Sequence, residues 1–128
     1  MSATPNLQLP FLDANQKQKH VTHNAALTIL DVVVNPKVES NALTAPPNTS
    51  GDGQIWIVAA GASGAWAGKA GQLAAWQDGA WMFYPPRVGT IAFAANLGAS
   101  LQWTGSAWAT LVPAANPATA FVQFLIFG

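Results

Sequence analysis

The hydrophobic pattern of this chain changes period once, and the change divides it into a helical front and a strand-rich back. From Asp13 to Val34, apolar residues recur at intervals of three and four: Val21, Ala25, Leu27, Leu30 and Val34, with Ala26, Ile29 and Val33 beside them. That spacing predicts an amphipathic helix whose buried face is Val21, Ala25, Leu30 and Val34. Asp13 is placed to cap its N-terminus, with Gln16 three positions on in a capping-box arrangement. Asn35-Pro36 ends it, because proline lacks the N–H donor and disfavours helical geometry in the residue before it. Ahead of the helix, Pro5 to Leu12 reads as an extended arm with Leu7, Leu9 and Phe11 on one side, suited to docking on a neighbouring chain.

After Pro36 the pattern becomes short strands punctuated by glycine. The expected strands are Val38–Thr44, Gln54–Ala60, Gln72–Trp76, Trp81–Tyr84, Thr90–Ala94, Ser100–Trp103 and Trp108–Val112. Asp78-Gly79 and Thr104-Gly105-Ser106 are compact hairpin connections in which glycine supplies the positive φ. Each lies between tryptophans five positions apart, Trp76 and Trp81 in one case and Trp103 and Trp108 in the other. This weak repeat predicts successive antiparallel hairpins with tryptophans paired across strands. The loops Ala45–Gly53 and Gly61–Gly71 are expected to lie outside the sheet. The resulting fold class is α+β: arm, amphipathic helix, and a small antiparallel β-barrel or sandwich. The expected layout is a single domain over 1–128, divided into an arm (1–12), a helix (13–35), a β-rich core (36–112) and an apolar C-terminal segment (113–128).

Composition adds an unusual surface to that plan. Charged residues are 8% of the chain, against about a quarter in ordinary soluble domains. From Val88 to Gly128 there is no Asp, Glu, Lys, Arg or His. The final run alternates Phe121, Gln123, Leu125 and Phe127 with Val122, Phe124 and Ile126, so a strand there is largely apolar on both faces. Such a strand needs cover on both sides, and it is expected to act as a clasp between copies of the chain. It is too short to be a membrane-spanning helix, which takes roughly 20 apolar residues. The N-terminal residues have neither the basic nor the apolar stretch of a secretory signal, so export by that route is not expected.

The chain offers little material for chemistry. There is no cysteine, and five basic residues balance five acidic ones, which leaves no electrostatic footprint for nucleic acid or an anionic membrane. His20 and His23 lie one helical turn apart, but no third ligand accompanies them, so no metal or other cofactor is expected. Asp52 and Asp78 sit in glycine turns, where aspartate has a local structural role. Gly61-Ala62-Ser63-Gly64 lacks the spacing of a nucleophile elbow. Gly51-Asp52-Gly53-Gln54-Ile55-Trp56 lacks the third glycine of a dinucleotide loop. No catalytic residue is assigned. Tryptophan is the remaining candidate: Trp66, Trp76, Trp81, Trp103 and Trp108 could present a platform for sugar rings, although packing explains tryptophans equally well.

Several blocks resemble a known family. Gln16-Lys17-Gln18-Lys19-His20-Val21-Thr22-His23-Asn24-Ala25-Ala26-Leu27 with Leu30-Asp31, then Pro46-Pro47, Gly51-Asp52-Gly53, Ile57 to Gly68, and Ala75 to Trp81 with Phe83, are similar in order to an uncharacterised domain family of alphaproteobacterial prophages and gene transfer agents. The resemblance implies virion decoration: a head spike, fibre or tail-associated protein, assembled in the bacterial cytoplasm and carried on a phage-like particle. It supplies no catalytic residue. Many relatives continue into a fibre or adhesin region, whereas this chain stops soon after the shared blocks, which favours an adaptor. The expected partners are therefore further copies of the chain, with a pentamer favoured over a trimer, together with a capsid or other particle protein and a distal fibre. Contacts are expected through Leu7, Leu9, Phe11, Phe121, Val122, Phe124, Leu125, Ile126 and Phe127. The alternatives are a carbohydrate-binding module acting through exposed tryptophan and a tail-fibre or tail-associated protein.

Overall fold

The computed structural model describes residues 3–12, 19–48 and 50–111. One α-helix, α1 (Lys19–Val33), precedes seven short strands: β1 (Lys37–Val38), β2 (Ile55–Ile57), β3 (Leu73–Gln77), β4 (Ala80–Tyr84), β5 (Ile91–Ala94), β6 (Ala99–Trp103) and β7 (Trp108–Thr110). They form two sheets, ordered β1-β5-β6-β7 and β2-β3-β4. The fold is α+β with a small sandwich, and the described residues form no closed barrel. Each strand starts within one residue of its expected position. Two expectations need correction. The two tryptophan hairpins belong to different sheets, and β1 runs parallel to β5 rather than antiparallel.

Turn chemistry accounts for the hairpins. Asp78 and Gly79 both have positive φ, 51° and 78°, the type I′ geometry that matches strand twist and that Asp-Gly adopts readily. The turn joins Gln77 to Ala80 and brings Trp76 opposite Trp81. The Thr104–Ala107 turn does the same for Trp103 and Trp108, held by the Thr104 N–H donating to the Ala107 carbonyl at 2.9 Å. The predicted strand Val38–Thr44 shortens to Lys37–Val38. Beyond it, Glu39, Ser40 and Leu43 still bond to β2 and Ala59, but Ser40 Oγ accepts the Ala42 N–H and bends the chain out of regular register.

The main core lies between the sheets. Val38, Ala92, Ala94 and Leu101 face Ile55, Ile57, Leu73 and Ala75, and Val32 of the helix joins the same cluster. A second cluster forms on the other side of the three-stranded sheet, where Trp56, Val58 and Ala74 meet Trp66 from the loop after β2. Because β2 is buried on both faces, it reads as Ile-Trp-Ile without alternation.

The N-terminal segment is not an extended arm. It turns back on itself through an Ala3–Pro10 bridge and Thr4 N–H donating to the Leu9 carbonyl at 2.9 Å, with Gln8 at positive φ. Thr4 is fully buried. Gly53 receives this loop, since a Cβ there would stand 2.6 Å from the Pro5 ring.

The helix docks by a different face from the one its apolar spacing predicts. Val32 and Asp31 are buried, and Asn24, Leu27 and Thr28 are half-buried. Val21, Leu30 and Val34 are 59%, 43% and 45% exposed, and Ala25 is exposed as well. The buried-face assignment of Val21, Ala25, Leu30 and Val34 is therefore overturned. The stop at Asn35-Pro36 stands, with Asn35 in the left-handed region that commonly ends helices. The cap residues Asp13 and Gln16 lie outside the described residues.

Candidate functional site

Polar side chains tie the helix to the domain. The Asp31 carboxylate accepts backbone N–H bonds from Asn6, at 2.8 Å, and from Leu7. Asn24 acts as a backbone substitute, its Oδ1 accepting the Leu12 N–H at 2.9 Å and its Nδ2 donating to the Leu12 carbonyl at 3.2 Å. One turn on, Gln77 of β3 donates to the Thr28 carbonyl at 3.0 Å and accepts from the Tyr84 hydroxyl. Burial pushes the Tyr84 hydroxyl pKa up. Buried polar groups of this kind fix geometry because each is costly to leave unpaired. Their arrangement leaves the apolar side of the helix turned to solvent.

The tryptophans divide between structure and surface. Trp66 is fully buried, and its ring lies 5.2 Å from Trp81 and 6.4 Å from Trp56 between centroids. It presents no stacking face and leaves the proposed sugar platform. Trp56, which the sequence reading omitted from the aromatic set, belongs to this cluster and is buried too. Trp76 and Trp81 pair at 5.1 Å and Trp103 and Trp108 at 5.5 Å, all four half-buried. Trp108 donates its indole N–H to the Gly71 carbonyl at 2.8 Å. Trp103 lies against Gly71, whose absent Cβ would approach its ring to 3.2 Å. This second pair borders a groove of about 320 Å³ that also takes in Asn41, Ala59 and Ser106. Among the described residues, no charged side chain lines it.

The Asp52 carboxylate has a structural partner. Asp52 accepts the Asp78 N–H at 3.0 Å, joining the two glycine turns. Both border a cavity of about 230 Å³ with Pro5, Phe11, Thr28 and Gln77. Among the described residues, no three His, Asp or Glu side chains converge as a metal site. His23 is exposed. No helix among them is long and apolar enough to cross a membrane.

Leu7 is exposed, while Leu9 and Phe11 are half-buried within their own domain. The tail residues Phe121, Val122, Phe124, Leu125, Ile126 and Phe127 lie outside the described residues. The outer face of the four-stranded sheet carries Ile91 and Phe93, 40% and 43% exposed, an apolar surface that counting charges predicted only in general terms.

Residues 23–109 match the family model described as Protein of unknown function (DUF2793). The chain belongs to this family. The DUF2793 match runs from within α1 into β7, so it takes in most of the helix and nearly all of both sheets and excludes the N-terminal loop. Among curated proteins, none matches the chain.

Proposed function

We propose that the chain is a non-catalytic structural subunit of a phage-like particle, a spike or fibre base. It self-associates, attaches to the capsid or another particle protein, and carries a distal receptor-binding fibre. The observation that carries this reading is exposed apolar surface without compensating charge: the solvent side of α1, and Ile91 and Phe93 on the outer sheet, within a chain that has no charged residue after Arg87. Extensive exposed apolar surface marks sites of protein contact. The Asp31 and Asp52 carboxylates give further support, because each accepts backbone N–H groups and so has a structural task. The resemblance of the Gln16–Leu27 block to prophage and gene-transfer-agent proteins supplies the particle. A tail-associated position would use the same surfaces, and a pentamer suits a five-fold vertex. The test is to purify particles from a producing cell by density gradient and identify their proteins by mass spectrometry. Co-sedimentation at fixed stoichiometry is expected; recovery of the chain only in the particle-free fraction would overturn the reading.

A second reading rests on the Trp103–Trp108 groove, whose indoles, Asn41 amide and Ser106 hydroxyl suit a neutral sugar ring better than a charged one. Binding on a glycan array that Trp103→Ala abolishes would favour it over a purely mechanical role.

A further inference from the structure

The pair Asp-Gly occurs twice, at Asp52-Gly53 and Asp78-Gly79, and the fold holds the two pairs differently. Both aspartates are exposed. In such a pair the glycine nitrogen is able to attack the aspartyl side chain, because glycine has no Cβ to obstruct the approach. The attack requires rotation about the aspartate Cα–C bond, which swings the glycine nitrogen onto Cγ. At Asp52 that rotation is blocked. The Gly53 N–H donates to the Trp76 carbonyl at 2.7 Å, Gly53 is buried, and it packs so tightly on Pro5 that a Cβ would stand 2.6 Å from the ring. The Asp52 carboxylate is engaged as well, accepting the Asp78 N–H at 3.0 Å. At Asp78 these restraints are missing. Gly79 is exposed, nothing lies within 4 Å of the place a Cβ would take, and its N–H is bonded to no main-chain carbonyl among the described residues.

We infer that Asp78 is a site of spontaneous covalent modification, passing through a cyclic succinimide to isoaspartate, and that the fold shields Asp52 from the same reaction. The Gly79 nitrogen forms a bond to Asp78 Cγ. The bond from Cγ to the carboxyl hydroxyl breaks, and that hydroxyl leaves with the amide hydrogen as water. A second water then opens the ring at one of its two carbonyls. Attack at Cγ restores aspartate. Attack at the main-chain carbonyl leaves the chain running through Cγ, one methylene longer, with the α-carboxyl free. Only water is exchanged, so the reaction needs no oxidant, reductant or co-reactant. Exposed turns open locally at little cost, whereas buried and bonded backbone opens rarely, and this difference separates the two sites. The Asp78-Gly79 turn is two residues long and fits its strands with both φ positive, 51° and 78°. An extra backbone atom there loosens the Gln77–Ala80 end of the hairpin and alters the wall that Asp78 gives to the cavity beside Phe11 and Gln77. The reaction is independent of any role on a particle.

The test holds the full chain at neutral pH for weeks, with a parallel sample in denaturant. Lys37, Lys69 and Arg87 bracket the two pairs, so trypsin releases them on separate peptides, 38–69 and 70–87. Isoaspartate is then told from aspartate of equal mass by its chromatographic shift and its electron-transfer fragments. In the folded chain the 70–87 peptide should gain isoaspartate roughly tenfold faster than the 38–69 peptide, the factor that one shielding backbone hydrogen bond supplies, with a transient form lighter by one water. In denaturant the two peptides should react at similar rates. Comparable rates in the folded chain, a faster 38–69 peptide, or a folded chain inert at Asp78 would each overturn the inference. A bias of the same size in denaturant would overturn it too, since flanking sequence rather than the fold would then set the preference.

Discussion

The helix and the three-stranded sheet bury their residues by opposite rules. In the sheet, β2 and β3 present apolar side chains to both sides, toward the inter-sheet core on one and the tryptophan cluster on the other. Burial there follows composition, and packing contributes its stability. The helix buries Asp31 and half-buries Asn24 and Thr28, while Val21, Ile29, Leu30 and Val33 remain exposed. A few directed hydrogen bonds, each satisfying a backbone group of the N-terminal loop or of the helix itself, determine which side docks. The comparison shows that an apolar stripe establishes that a segment is helical without establishing what the stripe faces. When specific polar partners are available on one side, the stripe is left exposed.

Truncating the aromatic cluster should produce the largest loss on the sheet side of this comparison. Trp66→Ala removes a fully buried indole that contacts Trp56 and Trp81, and should destabilise the domain by about 3 to 5 kcal/mol in chemical denaturation. Trp66→Phe should cost less, because the indole N–H has no hydrogen-bond partner among the described residues to lose. Equal losses for the two would show that ring size, rather than the presence of an aromatic group, governs the cluster.

On the helix side, Asp31→Ala should cost about 2 to 3 kcal/mol, since it leaves the Asn6 and Leu7 N–H groups without their charged acceptor. Amide exchange at those two positions should accelerate with it. A loss below about 0.5 kcal/mol, within the range of ordinary surface substitutions, would mean that the N-terminal loop is held by Thr4 and Pro5 packing instead.

A neighbouring pair decides the direction of the helix. Val32→Ala removes buried methyl groups from the main core and should cost about 1 to 3 kcal/mol. Leu30→Ala, two residues earlier and 43% exposed, should change folding stability by less than about 0.5 kcal/mol under conditions where the chain is dissociated. The reverse order would restore the face predicted by periodicity.

These residues also show how much of the molecule was legible in its sequence. Strand positions and both tryptophan pairings could be read because a hairpin is a local object: Asp78-Gly79 fixes the turn, and the turn fixes which residues face each other. The helix and its Asn35-Pro36 stop were legible for the same reason. Sheet membership was not, because the parallel β1–β5 pairing joins segments more than fifty residues apart and has no local signature. The docking of the N-terminal loop was hidden as well, since Asp31 looks like any helix-surface aspartate until the Asn6 and Leu7 N–H groups arrive. Sequence left Trp66 open between a sugar platform and packing because its glycine-rich loop resembles an excursion, whereas the loop folds back to place that indole against Trp56. Within the candidate site, an excess of uncharged apolar surface was visible from composition alone, but its location on the outer side of α1 required the polar contacts on the inner side.

The smallest expected effect concerns the relay that joins the two regions. Tyr84 of the sheet donates to Gln77, and Gln77 donates to the Thr28 carbonyl of the helix. Burial raises the Tyr84 pKa, so the folded chain holds this proton at pH values where the unfolded chain releases it. Stability from this group is present below the unfolded value of about 10 and declines as the pH rises through the folded one. Wild-type protein should therefore lose thermal stability more steeply above pH 10 than Tyr84→Phe, while at neutral pH the variant should be slightly the less stable for want of the hydroxyl. Tyr84 is the sole tyrosine, so tyrosinate absorbance reports its titration without interference. Identical pH dependence in the two proteins, or a tyrosinate titration at the free-tyrosine value, would show that the hydroxyl is solvated and that Gln77 alone connects sheet to helix.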